Sequence, residues 1–339
     1  MHFHFLLCFL LLASSFEGLT TDFPQDCLSN YNAPYEEQGT LQGRISGSFT
    51  YWQPLAEGLE VGLISANASS FTPSSKSRVV QTDFSYEPGL KLSLGLGGFP
   101  DHWEMLLGYT YFRSSSSTKT SVSNQQGIYT NRFQEANAVF AKSLVSVWKM
   151  RLQFLDPALS RTFYVGRHLL FTPSLGGRAY FLRHELKTQY QGGEITANHG
   201  EASQEAKSRS WGLGPKMGLH THWLLPAGFS CEGGLFYSMA FTRYHIEIEE
   251  TPTSTNAPFV FDQVNRTFRP MYDLNFGIEW SSSFPGSYVQ CGFSLLYEFC
   301  VLKNQNVLSN VLSSPQSRPF SSLNDLYLHG LTLSGIAKF

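Results

Sequence analysis

The chain has 339 residues, a formal net charge of -2, 15% charged residues and 15% aromatic residues. This near-neutral balance lacks the basic patch that nucleic-acid binding requires, so we predict no nucleic-acid partner. Few charges combined with many aromatic residues are unusual for a water-soluble protein of this length. The arrangement of the apolar residues therefore becomes the main question.

The beginning of the chain predicts an export signal. Residues 5–13, FLLCFLLLA, form a short apolar run that is followed by small residues, which is typical of a secretory signal peptide. We assign residues 1–18 to the signal peptide, 19–43 to an N-terminal periplasmic segment and 44–339 to one folded domain. No later stretch approaches the ~18 consecutive apolar residues that a membrane-spanning helix needs.

Cysteine is sparse in the predicted mature chain. Its cysteines are Cys27, Cys231, Cys291 and Cys300, and no two of them have the CxxC spacing of zinc or thioredoxin sites. Export would permit disulfides, but the sequence leaves their pairing open. We predict no metal and no cofactor.

Alternation of apolar and polar residues recurs along the chain and predicts β-strands that have two chemically different faces. In chain order, the clearest runs are LKLSLGLGG (90–98), WKMRLQF (148–154), WGLGPKMGLHTHW (211–223), DLNFGIEW (273–280) and LHGLTLSGIAKF (328–339). Segments 58–66, 77–85 and 129–140 could add further strands.

Short and long connections alternate between these runs. The short ones are 99–102, 224–228 and 282–286, and the long polar ones are 114–127, 191–208, 250–263 and 304–319. Residues 155–167 form a connection of intermediate length that could hold a short helical turn. A transmembrane barrel explains the alternation directly, since its turns are short on the periplasmic side and its loops are long on the outside.

We therefore predict an all-β fold, a transmembrane antiparallel up-and-down β-barrel of about 10 to 12 strands, with about 14 to 16 also compatible with the pattern. A secreted soluble β protein is the alternative. Aromatic residues near strand ends favour the barrel, because such residues mark the bilayer interfaces. These residues are Tyr51, Trp52, Trp103, Trp148, Trp211, Trp223 and Trp280. Glycines on the polar faces would let the strands bend around a lumen.

The polar faces of the strands supply the candidate functional residues. A charged side chain in the lipid would cost ~2–4 kcal/mol for Arg or Lys at mid-depth, so the charges should face the lumen. The predicted pore-lining residues are Lys91, Glu104, Lys149, Arg151, Arg178, Lys216, His220, His222, Asp273, Glu279, Glu298 and Lys338. Rings of charge at such positions would set ion preference.

Five segments in this order resemble the major outer membrane protein-like family of chlamydiae and legionellae. They are GLKLSLGLGGFPDHWEMLLGYTYF, FYVGRHLLFTPSLGGRAYF, WGLGPKMGLHTHW, RPMYDLNFGIEW and LHGLTLSGIAKF. The resemblance covers nearly all of the mature chain. It implies an outer-membrane β-barrel acting as a general diffusion porin and major surface protein, without a catalytic residue. The chlamydial members have more cysteines and disulfide cross-linked envelopes, and we do not carry that role over.

We therefore expect a porin-like barrel that allows passive diffusion of small hydrophilic solutes or ions. One alternative is a non-conducting structural or adhesin barrel. The other is an outer-membrane hydrolase, for which His184, His199, His220, His222, His245, Asp262 and Asp273 are available but stand in no recognisable motif. We predict no enzyme.

The predicted partners follow from the same interpretation. They are outer-membrane lipids, small solutes and the barrel-assembly machinery, which would recognise the terminal aromatic residue Phe339 on the lipid face. The sequence leaves a homo-oligomer open.

Overall fold

The computed structural model describes residues 41–65, 77–99, 102–123, 126–129, 140–165, 168–193, 201–251, 259–283, 289–306, 308 and 324–339. The predicted signal peptide, Cys27 and nearly all of the predicted N-terminal segment lie outside these residues. Within them, no helix has the length and apolar character needed to cross a membrane.

The described residues contain fifteen strands, which we number in chain order. They are β1 (Gln42–Ala56), β2 (Glu60–Ser65), β3 (Arg78–Gln81), β4 (Glu87–Phe99), β5 (Trp103–Ser121), β6 (Gly127–Tyr129), β7 (Phe140–Ala141), β8 (Ser143–Arg161), β9 (Phe163–Val165), β10 (Leu169–Gln191), β11 (Glu201–Leu224), β12 (Phe229–Glu250), β13 (Phe259–Ser283), β14 (Gln290–Asn306) and β15 (Asn324–Lys338).

Ten of these strands form a closed antiparallel barrel, so the predicted fold class is confirmed. Each barrel strand pairs with the next one along the chain, and β15 pairs back to β1 with Phe49 opposite Leu333. The closing strands also exchange two backbone hydrogen bonds at their ends, from Gly43 N to Phe339 O (2.7 Å) and from Phe339 N to Gly43 O (2.9 Å). Closure leaves the ten strands without a free edge.

Of the five remaining strands, the short β9 pairs with the beginning of β10, and β2, β3, β6 and β7 form a separate four-stranded sheet. It takes up the described parts of segments 58–66, 77–85 and 129–140, which therefore add no strands to the barrel. The sheet packs into the end of the barrel where the long loops lie, which we call the long-loop end. There, the Tyr190 hydroxyl donates a hydrogen bond to the Val61 carbonyl oxygen over 3.0 Å. We call this sheet the cap sheet.

The predicted short turns agree with the structure. The predicted long loops are too long, because the strands extend into them. The short turns fall between β4 and β5, β11 and β12, and β13 and β14. The strands continue into the predicted long loops, because β5 reaches Ser121 and β11 begins at Glu201. The predicted helical turn within 155–167 is wrong in the described part, where β8 runs to Arg161 and β9 follows.

The outer surface of the barrel changes character part of the way along the strands. Near the short-turn end it carries large exposed apolar side chains, which we call the apolar belt. Representative members are Leu92, Met105, Leu159, Leu175, Leu213, Leu235, Phe276, Leu295 and Leu333. Towards the long-loop end, many outward side chains on the same strands are polar or charged, as Lys149 and Arg151 on β8 illustrate, with small apolar exceptions such as Val264 on β13.

The interior changes in the opposite sense. The half of the lumen near the long loops is filled by one buried apolar cluster to which the barrel strands and the cap sheet both contribute, including Trp148, Leu186, Ile246, Val61 and Ile128. A strand that leaves the bilayer meets water on the outside, so its apolar face turns inward as in a soluble barrel. The belt and this cluster therefore mark two different environments along each strand.

This reversal corrects the prediction for β8 and for two of the interface aromatic residues. Trp148, Met150, Leu152 and Phe154 are buried in the lumen, although their alternation with charged residues is clear in the sequence. Trp52 is also buried inside. Tyr51, Trp103, Trp211, Trp223 and Trp280 are exposed on the outer surface as predicted.

Candidate functional site: the barrel interior

A network of charges crosses the middle of the lumen. The Arg178 guanidinium on β10 donates two hydrogen bonds to the Asp156 carboxylate on β8, over 2.8 and 2.7 Å. It also forms an ion pair with the Asp273 carboxylate on β13 at 2.7 Å. Lys216 on β11 donates to Asp156 over 2.7 Å and lies 4.0 Å from Asp273. The result is a balanced set of two cations and two anions from four strands.

A second ion pair joins the strands on the opposite wall of the lumen. The Lys91 ammonium on β4 donates to both carboxylate oxygens of Glu298 on β14, each over 2.7 Å. The Thr332 hydroxyl donates to the same carboxylate over 2.7 Å. Lys91 and Arg178 also lie over the rings of Trp52 and Phe154, at 4.7 and 4.3 Å from the ring centroids.

Together, the two groups form a layer that we call the ion-pair layer. A cavity of about 110 Å³ lies between them, and both ion-pair groups line it. Buried charges of this kind are tolerated because each has opposite charges and hydrogen bonds around it. The layer places paired cationic and anionic side chains across the centre of the lumen.

The interior between the ion-pair layer and the short turns is polar. Arg44 lies 3.7 Å from Glu104, His220 lies 3.4 Å from Glu232 and His222 lies 4.0 Å from Glu279. Arg44, Glu104, both histidines and Glu279 line a cavity of about 290 Å³ together with Lys338. Five of the predicted pore-lining residues line this cavity, and five others line the cavity of the ion-pair layer.

One group of side chains beside this cavity has donor atoms that suit a metal ion. Ligand atoms of His220, His222 and Glu232 all lie within 4.8 Å of one another. Two imidazoles and a carboxylate form a ligand set that Zn²⁺ accepts. The His220–Glu232 contact already gives these two residues a partner without a metal.

The lumen beyond the ion-pair layer is closed by hydrogen bonds to tyrosine hydroxyls. The Tyr180 hydroxyl lies 2.6 Å from the Thr242 hydroxyl and accepts a hydrogen bond from the Gln305 amide over 2.7 Å. Arg269 donates to the Tyr244 hydroxyl over 3.0 Å. The apolar cluster and the cap sheet follow directly above these residues.

His184 lies in that closed half of the lumen. On β10 the apolar belt ends at Phe181, so His184 stands beyond the membrane-spanning part of its strand. Burial lowers the pKa of His184 to about 4, which keeps the imidazole neutral against the Trp148 ring. A neutral imidazole adds no charge to the apolar cluster.

Ten of the twelve predicted pore-lining residues face the interior. They are Lys91, Glu104, Arg178, Lys216, His220, His222, Asp273, Glu279, Glu298 and Lys338. Lys149 and Arg151 face outward instead, which corrects the prediction. They belong to the part of β8 beyond the apolar belt, where a charge on the outer face meets water and costs nothing to expose.

Several interior charges were not predicted, among them Asp156, Arg44, Glu232 and Arg269. The alternation pattern assigns no face to Asp156, which lies in a predicted connection, or to Arg44, which lies at the edge of the predicted barrel. Glu232 shares its parity with Gly234 and Phe236 on β12, and its inward position is readable from the run CEGGLFY. Extending the alternation through DPALS would have placed Asp156 on the same face as Phe154.

The residues considered for a hydrolase do not converge. His245 and Asp262 lie 2.5 Å apart on the outer surface, whereas His220, His222 and Asp273 face the lumen and His184 is buried in the apolar cluster. His199 lies outside the described residues. The described cysteines Cys231, Cys291 and Cys300 are free thiols.

A closed antiparallel barrel with an apolar outer belt and a charged interior is the architecture of an outer-membrane β-barrel protein. The comparison with family models defines the protein further. The chain belongs to the family described as the Legionella pneumophila major outer membrane protein precursor, whose model matches residues 37–337. Its location is therefore the bacterial outer membrane, as predicted from the sequence.

Among solved structures, the chain is similar to the outer membrane protease OmpT from Escherichia coli, with 9% identity, a TM-score of 0.42 and coverage of 89% of this chain and 97% of that chain. A Pseudomonas aeruginosa FadL homologue matches with 8% identity, a TM-score of 0.25 and coverage of 88% and 90%. The Pseudomonas putida toluene transporter TodX matches with 9% identity, a TM-score of 0.23 and coverage of 88% and 89%. No curated protein matches the chain.

Proposed function

We propose that this outer-membrane barrel is closed and serves as a structural or adhesive protein of the cell surface. The observation that carries the proposal is the filled lumen, in which the ion-pair layer lies directly beneath the apolar cluster. A solute would have to separate paired buried charges and then displace a packed core. Removing one partner of a buried ion pair destabilises a protein by about 3–5 kcal/mol, which indicates the scale of this barrier.

The number of strands supports the same proposal. Barrels of ~8 strands are filled by side chains, and those of ~16 leave an aqueous channel. The ten strands found here are close to the filled end of that range. Large inward side chains such as Trp52, Phe112, Trp148 and Tyr180 occupy the available width.

Passive diffusion of small solutes or ions is the second candidate function. The charged cavity of about 290 Å³ near the short turns favours it, because such a vestibule would attract and hydrate ions. This candidate requires the ion-pair layer and the cap sheet to move together. We propose no catalytic activity for either candidate function. Whether the protein forms a homo-oligomer is left open by the sequence.

Planar-bilayer conductance separates the two candidates. We expect no unitary current steps from the refolded protein under conditions in which a general porin shows them. Unitary steps whose reversal potential shifts in a Lys91→Glu variant would contradict the proposal and support diffusion past the ion-pair layer. A Lys149→Glu variant is the matched control, since it makes the same charge change on the outer surface.

A further inference from the structure

Arginine follows the apolar belt on six neighbouring barrel strands. On five of them an outward aromatic residue is separated by one position from an outward arginine that is nearer the long loops. The pairs are Tyr111–Arg113, Phe181–Arg183, Trp211–Arg209, Phe241–Arg243 and Phe268–Arg266. The aromatic residue lies on the belt side of the arginine whichever way the strand runs. The arrangement therefore follows the boundary of the belt and not the chain direction. On β8, Arg151 occupies the corresponding place.

All six arginines have a direct cross-strand arginine neighbour: Arg243 pairs with Arg266, and the other four form one unbroken series. Arg113 pairs with Arg151, Arg151 with Arg183, and Arg183 with Arg209. We call this set the arginine row. Like charges directly opposite each other destabilise a sheet, so an unbroken row of four requires compensation.

The protein itself supplies little of that compensation. Among the described residues, no carboxylate lies within 4.0 Å of the guanidinium groups of Arg113, Arg151 or Arg183, and Arg209 lies 3.8 Å from Glu247. The next outward row, two residues nearer the long loops, alternates in sign instead. There Lys149 pairs with Glu185, Glu185 with Lys207, and Lys207 with Glu247. The chain therefore balances charge one row away and leaves the row at the belt boundary cationic.

We propose that the arginine row binds the phosphate groups of the phosphorylated glycolipid that forms the outer leaflet, lipopolysaccharide. The row lies where lipid headgroups meet the belt, and each guanidinium offers a fork of donors that matches a phosphate. The neighbouring aromatic residues Phe181 and Trp211 provide an amphipathic surface for the sugar and acyl parts. A surface groove of about 530 Å³ joins Arg151, Arg183, Arg209 and both aromatic residues.

The test compares two triple variants of the refolded full chain that lose the same charge. Arg151→Gln, Arg183→Gln and Arg209→Gln together remove the centre of the arginine row. Lys149→Gln, Lys187→Gln and Lys207→Gln together remove three cations from the outer surface one or two rows further out. Binding to lipopolysaccharide in mixed micelles should weaken by at least about tenfold in the arginine variant and by less than about twofold in the lysine variant.

The source of the phosphate is tested in the same assay. Enzymatically dephosphorylated lipopolysaccharide should bind to the unaltered protein about as weakly as the intact glycolipid binds to the arginine variant. Inorganic phosphate in excess should not displace the glycolipid; displacement would mean that the row binds free phosphate. Equal binding by both triple variants, or undiminished binding of the dephosphorylated glycolipid, would overturn the proposal.

Folding is checked separately by the heat-dependent shift in gel migration that folded barrels show. The arginine variant should fold at least as well as the unaltered protein in detergent without lipopolysaccharide, because it removes repulsion between neighbouring strands. If the triple arginine variant does not fold, the single variant Arg183→Gln tests whether the arginine row binds lipopolysaccharide. It should weaken binding by about threefold, and unchanged affinity would refute the arginine row as a binding site.

Discussion

Arg178 is central to the ion-pair layer, because its guanidinium lies 2.7 Å from both Asp156 and Asp273 and its side chain is only 4% exposed. Replacing it by methionine keeps much of the side-chain volume and leaves two buried carboxylates with a single lysine. We expect Arg178→Met to lower the free energy of unfolding by about 3–5 kcal/mol. Urea unfolding in detergent micelles would measure this.

The control is Lys119→Met on the exposed outer surface, which should change the unfolding free energy by no more than about 0.5 kcal/mol. Similar losses in both variants would mean that the ion-pair layer contributes no specific stability. At this scale, sequence alone identified three members of the network, Arg178, Lys216 and Asp273. It missed Asp156, because a proline and small residues suggested a turn where the strand continues.

The elements were predictable from alternation, but the direction in which each face points was not. A period of two separates two faces and carries no information about which one meets lipid, water or core. On β4 and β13 the apolar face is outside, and on the long-loop half of β8 it is inside. The sequence WKMRLQF is therefore compatible with an apolar face that meets lipid and with an apolar face that meets the barrel interior. The position of the strand segment relative to the belt decides between the two.

A matched pair of substitutions tests where the apolar belt ends on the outer surface. Leu92→Arg places a charge within the apolar belt and should cost about 2–4 kcal/mol of folding free energy in lipid bilayers. Ser117→Arg makes a similar change on the outward face of β5 beyond the belt, where the side chain meets water. It should cost about 0.5 kcal/mol or less. Reversible folding into vesicles gives both values, and equal costs would place the belt boundary elsewhere.

The whole molecule has two ends of different kind, and their orientation can be measured in cells. We expect Lys119→Cys, on the outer surface beyond the belt, to react with a membrane-impermeant maleimide in intact cells. Ser282→Cys, at the opposite end of the barrel, should react only after the outer membrane is permeabilised. Both variants require a background in which the native cysteines are serine. The reverse labelling pattern would show that the long loops face the periplasm.

At this scale the sequence predicted the closed barrel, the alternating connections and the outer-membrane location. The filled lumen was weighed as an alternative and not chosen, since whether side chains meet across ten strands depends on their lengths and on strand tilt. The cap sheet combines segments from three separate places in the chain. Their pairing arises from tertiary packing on Tyr190 and its neighbours, which local patterns do not encode.

The boundary between the outward aromatic residues and the outward arginines also fixes the depth at which the barrel sits in the membrane. Moving the barrel outward by two residues, about 5 Å, would lift Tyr111, Phe181 and Trp211 away from the hydrocarbon, and moving it inward would drag arginines towards it. The inward shift is opposed on six adjoining strands and the outward shift on five of them. Hydrophobic mismatch must therefore be relieved by the lipids, and the protein imposes its own thickness on the membrane around it.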